Sequence, residues 1–278
     1  MKWHIVADSS CDLHRLPESG QEIDFSTIPF HIRIGEREYT DQAGIDLDAM
    51  LLDNETCSEA AYTGCPSPQL WLEHFSQPGP VLAFTISSNL SGSYNSAMAA
   101  KQMLLECEPD KQIEIIDSLA TGPETVLLIR KALSLIAERT PFEEIAPALR
   151  AAAERTHIIF ALQSYRNLIK TGRVNKLVAL VAGHLGFWGV GVGDEEGRIA
   201  MRGKARGEKN MLRFLLDEIQ STGLAGNDVV ISHCFNDAAA NALKRGLEER
   251  FAGVRVDILP TRGLDSFYAE RHGLIVGF

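Results

Sequence analysis

VLAFTISSNLSGSYNSAMAAKQMLLE, residues 81–106, sets an apolar run against a cluster of serines, asparagines and one glycine, and then enters a helical pattern. The apolar run reads as a strand. If that strand lies in a parallel sheet, Ser87 to Gly92 fall at its carboxyl end, and the following helix presents its free N–H groups and positive dipole end there. Gly92 lets a ligand approach the backbone closely, and the Ser91 hydroxyl can donate to a carboxylate or phosphate oxygen. Ser88, Asn89 and Ser93 suit the turn itself. On this segment alone, an anion site and an ordinary helix cap both stay open.

Working outward, WHIVAD (3–8), TIPFHIRI (27–34), QIEIIDS (112–118) and HIIFAL (157–162) read as further strands, with helical patterns between them. In TGPETVLLIRKALSLIAER, Thr121 stands three before Glu124 as in a capping box, and Val126, Ile129, Leu133 and Ile136 share one face. TPFEE repeats the device with Thr140, Pro141 and Glu143, although Pro147 interrupts the next helical pattern. Strands alternating with helices predict a parallel α/β layer. Beyond about residue 163 the texture changes. GFWGVGVGDEEGRIAMRGKA (186–205) reads as two strands about an Asp-Glu-Glu-Gly turn, and DVVISHC, VRVDILP and GLIVGF alternate with two amphipathic helices. The expectation is two α/β domains, 1–162 and 163–278, joined without a Pro/Ser-rich linker and enclosing a ligand cleft.

Composition narrows the function. The 278 residues are 45% hydrophobic, enough for a large core without metal or disulfide support. A formal net charge of −10 argues against nucleic acid, whose binding needs many Lys and Arg on one face. The five cysteines are scattered and never form CxxC, which fits reduced thiols. An acidic residue as early as Asp8 and the lack of any run of about 18 apolar residues lead us to expect a cytoplasmic protein with no transmembrane segment.

Several signatures fail on spacing. GRIAMRGKA is no Walker loop, GVGVGDEEG lacks the dinucleotide interval, Ser91 has Asn89 where a hydrolase elbow needs glycine, and HExxH is absent. Asp8 and Asp12 in DSSCD follow the first strand, where they could serve acid–base chemistry or cap a turn. Two further stretches repeat the design of the serine segment. In YTGCPSPQLWLEHF (62–75), Thr63 is either a hydroxyl clamp or a turn residue. In LIKTGRVNKL (168–177), Gly172 stops a helix and leaves Arg173 just beyond, free to bind an anion or to form a surface ion pair.

Taken together and in this order, these stretches resemble the DegV family of fatty-acid-binding proteins. DSSCDL is similar to that family's Asp-Ser-Thr-x-Asp-Leu, YTGCPSP to its Thr-Ser-Gln-Pro-Ser-Pro, ISSNLSGSYNSA to its Ser-Ser-x-Leu-Ser-Gly-Thr-Tyr-x-Ser-Ala, and LIKTGRV to its Leu-Lys-Lys-Gly-Gly-Arg-Ile. The resemblance spans essentially the whole chain. It implies the two-domain DegV-like (EDD) α/β fold, with a mainly parallel N-terminal sheet and a mixed C-terminal sheet. It implies a carrier without catalytic residues, metal or cofactor. Its partner would be one long-chain fatty acid of the palmitate, stearate or oleate class, which a fatty acid kinase subunit phosphorylates to acyl-phosphate.

On that resemblance Thr63 and Ser91 match the carboxylate clamp, Gly92 the neighbouring backbone position and Arg173 a polar residue at the mouth. Gly64 and Cys65 stand where the family has Ser and Gln. The family's C-terminal His-Thr-Gly-Pro-Gly is not recognisable in YAERHG: counted back from VGF, its histidine falls on Tyr268 rather than on His272, and His272 is the candidate ligand-binding residue of this segment. LVALVAGHLGFWGV (177–190) and IPFHIRI (28–34) are candidates to line the acyl tail. The alternatives are a small-acid hydrolase or phosphotransferase using Asp8, Asp12 or His272, and a regulatory lipid-sensing module docking through Arg198, Arg202, Lys204, Arg206 and Lys209.

Overall fold

The computed structural model describes residues 2–16, 22–174, 186–224 and 226–278. β1 (Trp3–Asp8), β2 (Ile23–Ile28), β3 (His31–Ile34) and β4 (Arg37–Thr40) precede α1 (Leu47–Thr56). Next come β5 (Ala61–Gly64), α2 (Pro68–Phe75), β6 (Val81–Thr85), α3 (Ser93–Cys107) and β7 (Ile113–Asp117). Two helices follow, α4 (Gly122–Ala137) and α5 (Phe142–Ala153), then β8 (Ile158–Leu162), α6 (Arg166–Lys170) and the hairpin β9 (Phe187–Gly193) with β10 (Ile199–Arg206). The chain ends with α7 (Glu208–Thr222), β11 (Asp228–His233), α8 (Asp237–Arg250), β12 (Arg255–Pro260), α9 (Gly263–Ala269) and β13 (Leu274–Gly277).

Three sheets result. The first is parallel throughout, in the order β2-β1-β6-β7, and the second is six-stranded and mixed, in the order β10-β9-β8-β13-β11-β12. A small antiparallel sheet, β4-β3-β5, makes the third. The run 27–34, read as one strand, is therefore two: Ile28 closes β2, and the next strand begins at His31 in a different sheet. Pro29 has no N–H for a ladder, and the Phe30 N–H instead donates to Ser9 Oγ at 2.9 Å. Strand β8 pairs with β9 and β13, so sheet membership changes at Ile158, ahead of the expected division at 163.

Helix α4 joins the two large sheets. Every residue from Gly122 to Ile129 is buried, because the helix packs on Leu82, Phe84 and Ile116 of the parallel sheet and on Val230 of the mixed one. The first two turns are therefore covered on all sides, whereas Lys131, Ser134 and Ala137 are exposed farther along. The one-faced reading drawn from Val126, Ile129, Leu133 and Ile136 holds only for the second half of the helix. The capping box is corrected as well: no side chain caps α4, the Thr121 hydroxyl donates to Asp265, and Glu124 accepts from Thr156. Likewise Pro141, not Thr140, is the N-cap residue of α5, and Pro147 lies inside that helix.

The glycines of GVGVG make room rather than cradle phosphate. Gly189, Gly191 and Gly193 lie on one face of β9, and a Cβ there would stand 2.5 Å from the Tyr165 ring, 2.5 Å from the Phe160 ring and 2.8 Å from Ile158 Cγ2 respectively. The alternate residues Trp188, Val190 and Val192 join the opposite core beneath α7 and α8. Period-two alternation thus separates a packed core from a face hollowed by glycine. No described helix is long and apolar enough to cross a membrane.

Candidate functional site

The serine segment forms the expected turn at the carboxyl end of β6. The Ser87 carbonyl accepts the N–H groups of Leu90 and Ser91 at 3.0 and 3.1 Å, and Ser87 Oγ accepts that of Asn89 at 3.2 Å. Gly92 is the N-cap of α3, and no side chain caps this 15-residue helix. Its positive end faces the turn, with no acidic residue in its own first turn. Ser91 Oγ accepts the Ser93 N–H at 3.3 Å.

Asp8 holds the turn in place. Its Oδ2 accepts the Ile86 N–H at 3.0 Å and the Ser93 hydroxyl at 2.6 Å, while Oδ1 accepts the Ser10 N–H and hydroxyl at 3.3 and 2.6 Å. The carboxyl is fully buried; burial raises its pKa and these hydrogen bonds oppose the rise. Asp8 joins β1 to the start of α3 and does not line the cavity described next. The open choice between acid–base chemistry and turn capping falls to the second.

Thr63 comes from the edge strand β5, opposite Ile32 in register, rather than from a turn before a helix. Its Oγ1 shares a hydrogen bond of 2.8 Å with the Tyr268 hydroxyl on α9. Arg173 stands where the sequence predicts it: α6 stops at Lys170, Gly172 takes a φ of 78°, and the guanidinium lies beyond. Its Nε donates to the Leu90 carbonyl at 3.2 Å and its Nη1 to the Thr171 carbonyl at 3.0 Å, and its Cζ lies 5.8 Å from the centroid of the Tyr268 ring.

Thr63, Ser91, Arg173 and Tyr268 line one cavity, which encloses about 780 Å³ of space with its open mouth included. The rest of its lining is chiefly apolar, with Phe30, Ile86, Leu90, Phe160, Leu162 and Ile275 prominent. A largely apolar pocket with a few convergent polar groups is the form of a small-molecule site. Gly92 lies one residue behind Ser91, and a Cβ there would stand 3.4 Å from Cys65 Sγ. His272 is not brought to this site. It is exposed, has a φ of 73°, and its N–H and carbonyl are bonded to Cys234 and Asn236. Of the tail-lining candidates, Phe30 takes part, and 177–185 lie outside the described residues.

Two lining residues, Thr121 and Asp265, carried no legible signal for the site. Thr121 resembled a helix cap, and nothing around Asp265 marked it. They share a hydrogen bond of 2.8 Å and lead into a buried polar cluster behind the tunnel. There Asp12 Oδ1 accepts the Arg262 N–H at 2.8 Å, and Asp41 accepts those of Gly263 and Leu264 at 2.8 and 2.9 Å. The Arg262 guanidinium donates to the carbonyls of Leu13 and Asp41 and to Thr27 Oγ1. Burial pushes the Asp12 carboxyl up to about 7, and burial together with the Asp12 carboxyl holds Asp265 well above the carboxylate range.

Among the described residues no group of three His, Cys, Asp or Glu side chains is arranged to hold a metal ion. The basic segment in and just before β10 is partly neutralised: Arg198 pairs with Asp194 and Glu196, and Arg202 with Glu218, while Lys204 and Arg206 lie over the Phe187 ring.

The family model described as "Uncharacterised protein, DegV family" matches residues 2–270. A DegV domain-containing protein of Streptococcus pneumoniae is 38% identical, covering 100% of this chain and 99% of its own. The crystal structure of the Streptococcus pneumoniae fatty acid kinase B3 protein, loaded with linoleic acid, superposes with a TM-score of 0.96 at 38% identity over 100% of this chain and 99% of that one. A DegV family protein from Eubacterium eligens loaded with heptadecanoic acid gives 0.94 at 34% identity, covering 99% and 98% of the two chains. With the match running nearly end to end in sequence and in fold, the chain belongs to the DegV family.

Proposed function

We propose that this protein binds one long-chain fatty acid in the tunnel, with the carboxylate held by the hydroxyls of Thr63 and Ser91 and faced by Arg173. The observation that carries the reading is the convergence of these three side chains, with Tyr268, at one apolar cavity. The fatty acids carried by the Streptococcus pneumoniae and Eubacterium eligens proteins support it. Each buried methylene contributes about 0.8 kcal/mol, so a tail of about sixteen carbons gains more than about 10 kcal/mol before the cost of association. Neutral hydroxyls then suffice to orient the head group, because the tail supplies the affinity. The protein acts as a carrier without chemistry of its own and presents the carboxylate to a fatty acid kinase; the name of the pneumococcal relative supports that partner.

Native mass spectrometry of the freshly purified protein, followed by solvent extraction, tests the binding. We expect one long-chain fatty acid per chain. A protein that is empty and fails to take up added palmitate or oleate overturns the reading. For the partner, the loaded protein mixed with a bacterial fatty acid kinase and ATP should yield acyl-phosphate, and Ser91→Ala should reduce that yield. No turnover in the presence of active kinase would overturn the presentation step alone.

A further inference from the structure

Asp12 and Asp265 each use one carboxylate oxygen in a hydrogen bond, Asp12 Oδ1 to the Arg262 N–H and Asp265 Oδ1 to the Thr121 hydroxyl. Their Oδ2 atoms are buried and meet no donor among the described residues. The two oxygens face each other across Gly122: a Cβ on that glycine would stand 2.4 Å from Asp265 Oδ2 and 2.8 Å from Asp12 Oδ2. A third oxygen joins them. The Ser232 hydroxyl on β11 is wholly buried beside the Asp12 carboxyl, and it comes within hydrogen-bond distance of no described residue.

Buried oxygens without a donor or a counter-charge are costly and rare in folded proteins. The neighbouring residues supply neither. Asp8 is occupied by its own four donors, and the Arg262 guanidinium lies 3.8 Å from Asp41 Oδ1 and donates to Leu13, Thr27 and Asp41, to neither Oδ2 atom. The 16-residue helix α4 starts at Gly122 and turns its positive end on the pair, which favours the ionised form of both carboxyls. One shared proton would bridge two of the three oxygens, whereas a metal cation takes all three as ligands. An all-oxygen donor set selects a hard cation over zinc or copper. Mg2+ keeps several waters and Ca2+ takes about six to eight oxygens, which does not suit a site whose side chains are at most 3% exposed and bring only two carboxylates.

We propose that Asp12 Oδ2, Asp265 Oδ2 and Ser232 Oγ bind one alkali-metal cation, Na+ or K+, behind the wall of the cavity. The ion enters from the cavity, which Asp265 and Thr121 line. Its ligands come from the loop after β1, from β11 and from α9, so it staples the parallel sheet to the mixed one at the start of α4. The inference goes beyond the fatty acid reading and stands independently of it.

The test compares thermal melts of the full chain, at equal lipid content, in sodium, potassium and choline chloride, each at about 0.1 M so that screening is the same. An ion at about ten times its Kd should raise the melting temperature of wild type by about 3–6 °C over choline. Asp265→Asn sets an amide opposite Asp12 Oδ2 and should abolish the difference between salts. Ser232→Ala, a milder change, should shrink it and carries the comparison if Asp265→Asn does not fold. A crystal structure in the stabilising salt, with Tl+ in place of K+ if K+ is the stabiliser, should place the ion against all three oxygens. Equal melting of wild type in the three salts, a salt difference that the folded variants retain in full, or a water in place of the ion overturns the site.

Discussion

Thr63 and Tyr268, 205 positions apart in the chain, bring their hydroxyls to 2.8 Å at the polar end of the tunnel. The pair joins an edge strand of the small sheet to the short helix α9, and the Arg173 guanidinium lies 5.8 Å from the centroid of the Tyr268 ring. Tyr268→Phe keeps the ring and removes the hydroxyl. A lost neutral hydrogen bond is worth about 1 kcal/mol, so we expect fatty acid affinity to fall about fivefold, read by displacement of a fluorescent fatty acid. Unchanged affinity would show that Tyr268 only packs the mouth.

Asp8 accepts four hydrogen bonds and is fully buried, and its partners include the first residue of α3. Asp8→Ala strands those donors, and we expect a loss of about 3 kcal/mol or more in urea denaturation together with loss of lipid. If stability were retained and lipid binding alone lost, Asp8 would have to act on the ligand directly.

Glu124 titrates out of its usual range. Its carboxyl is buried between α4 and the loop before β8, accepts the Thr156 hydroxyl at 2.7 Å, and is pushed by burial from 4.5 to about 8. Because the folded state holds this proton more tightly than the unfolded chain, its stabilising effect is complete below pH 4.5 and is lost as the pH rises to about 8. Across that window one such proton contributes a downward slope of about 1.4 kcal/mol per pH unit. Glu124→Gln should flatten the fall in stability by that amount in denaturant titrations between pH 5 and 8, and an unchanged slope would refute the assignment.

Gly191 lies beneath the Phe160 ring, where a methyl group would stand 2.5 Å from Cζ and 3.1 Å from the Ala200 carbonyl oxygen. Gly191→Ala must move the ring, which itself lines the tunnel. We expect a loss of about 1–3 kcal/mol and reduced uptake of the longest bound acid, measured by melting and extraction. Full uptake with wild-type stability would mean that the glycine face is not needed to form the tunnel.

Much of this site was legible locally. The turn after β6, the stop at Gly172 that leaves Arg173 outside α6, and the hairpin around Asp194 were all read from residues within a turn or two of one another. Such features depend on backbone propensity, periodicity and φ preferences, which neighbouring residues decide. The C-terminal segment was less legible: His272 was the candidate, and the fold places Tyr268 on the cavity instead.

The choice among partners was not local. The Thr121 hydroxyl could have capped its own helix and instead donates to Asp265, 144 positions away; Glu124 could have completed that cap and instead accepts from Thr156. A side-chain cap and a distant hydrogen bond each contribute about 1 kcal/mol, so sequence alone cannot rank them. From the sequence came most of the strands and helices of the two large sheets, the serine turn and the position of Arg173. Tertiary packing alone decided which hydroxyls meet at the mouth of the cavity, because those contacts join segments whose separation in the chain leaves no local trace.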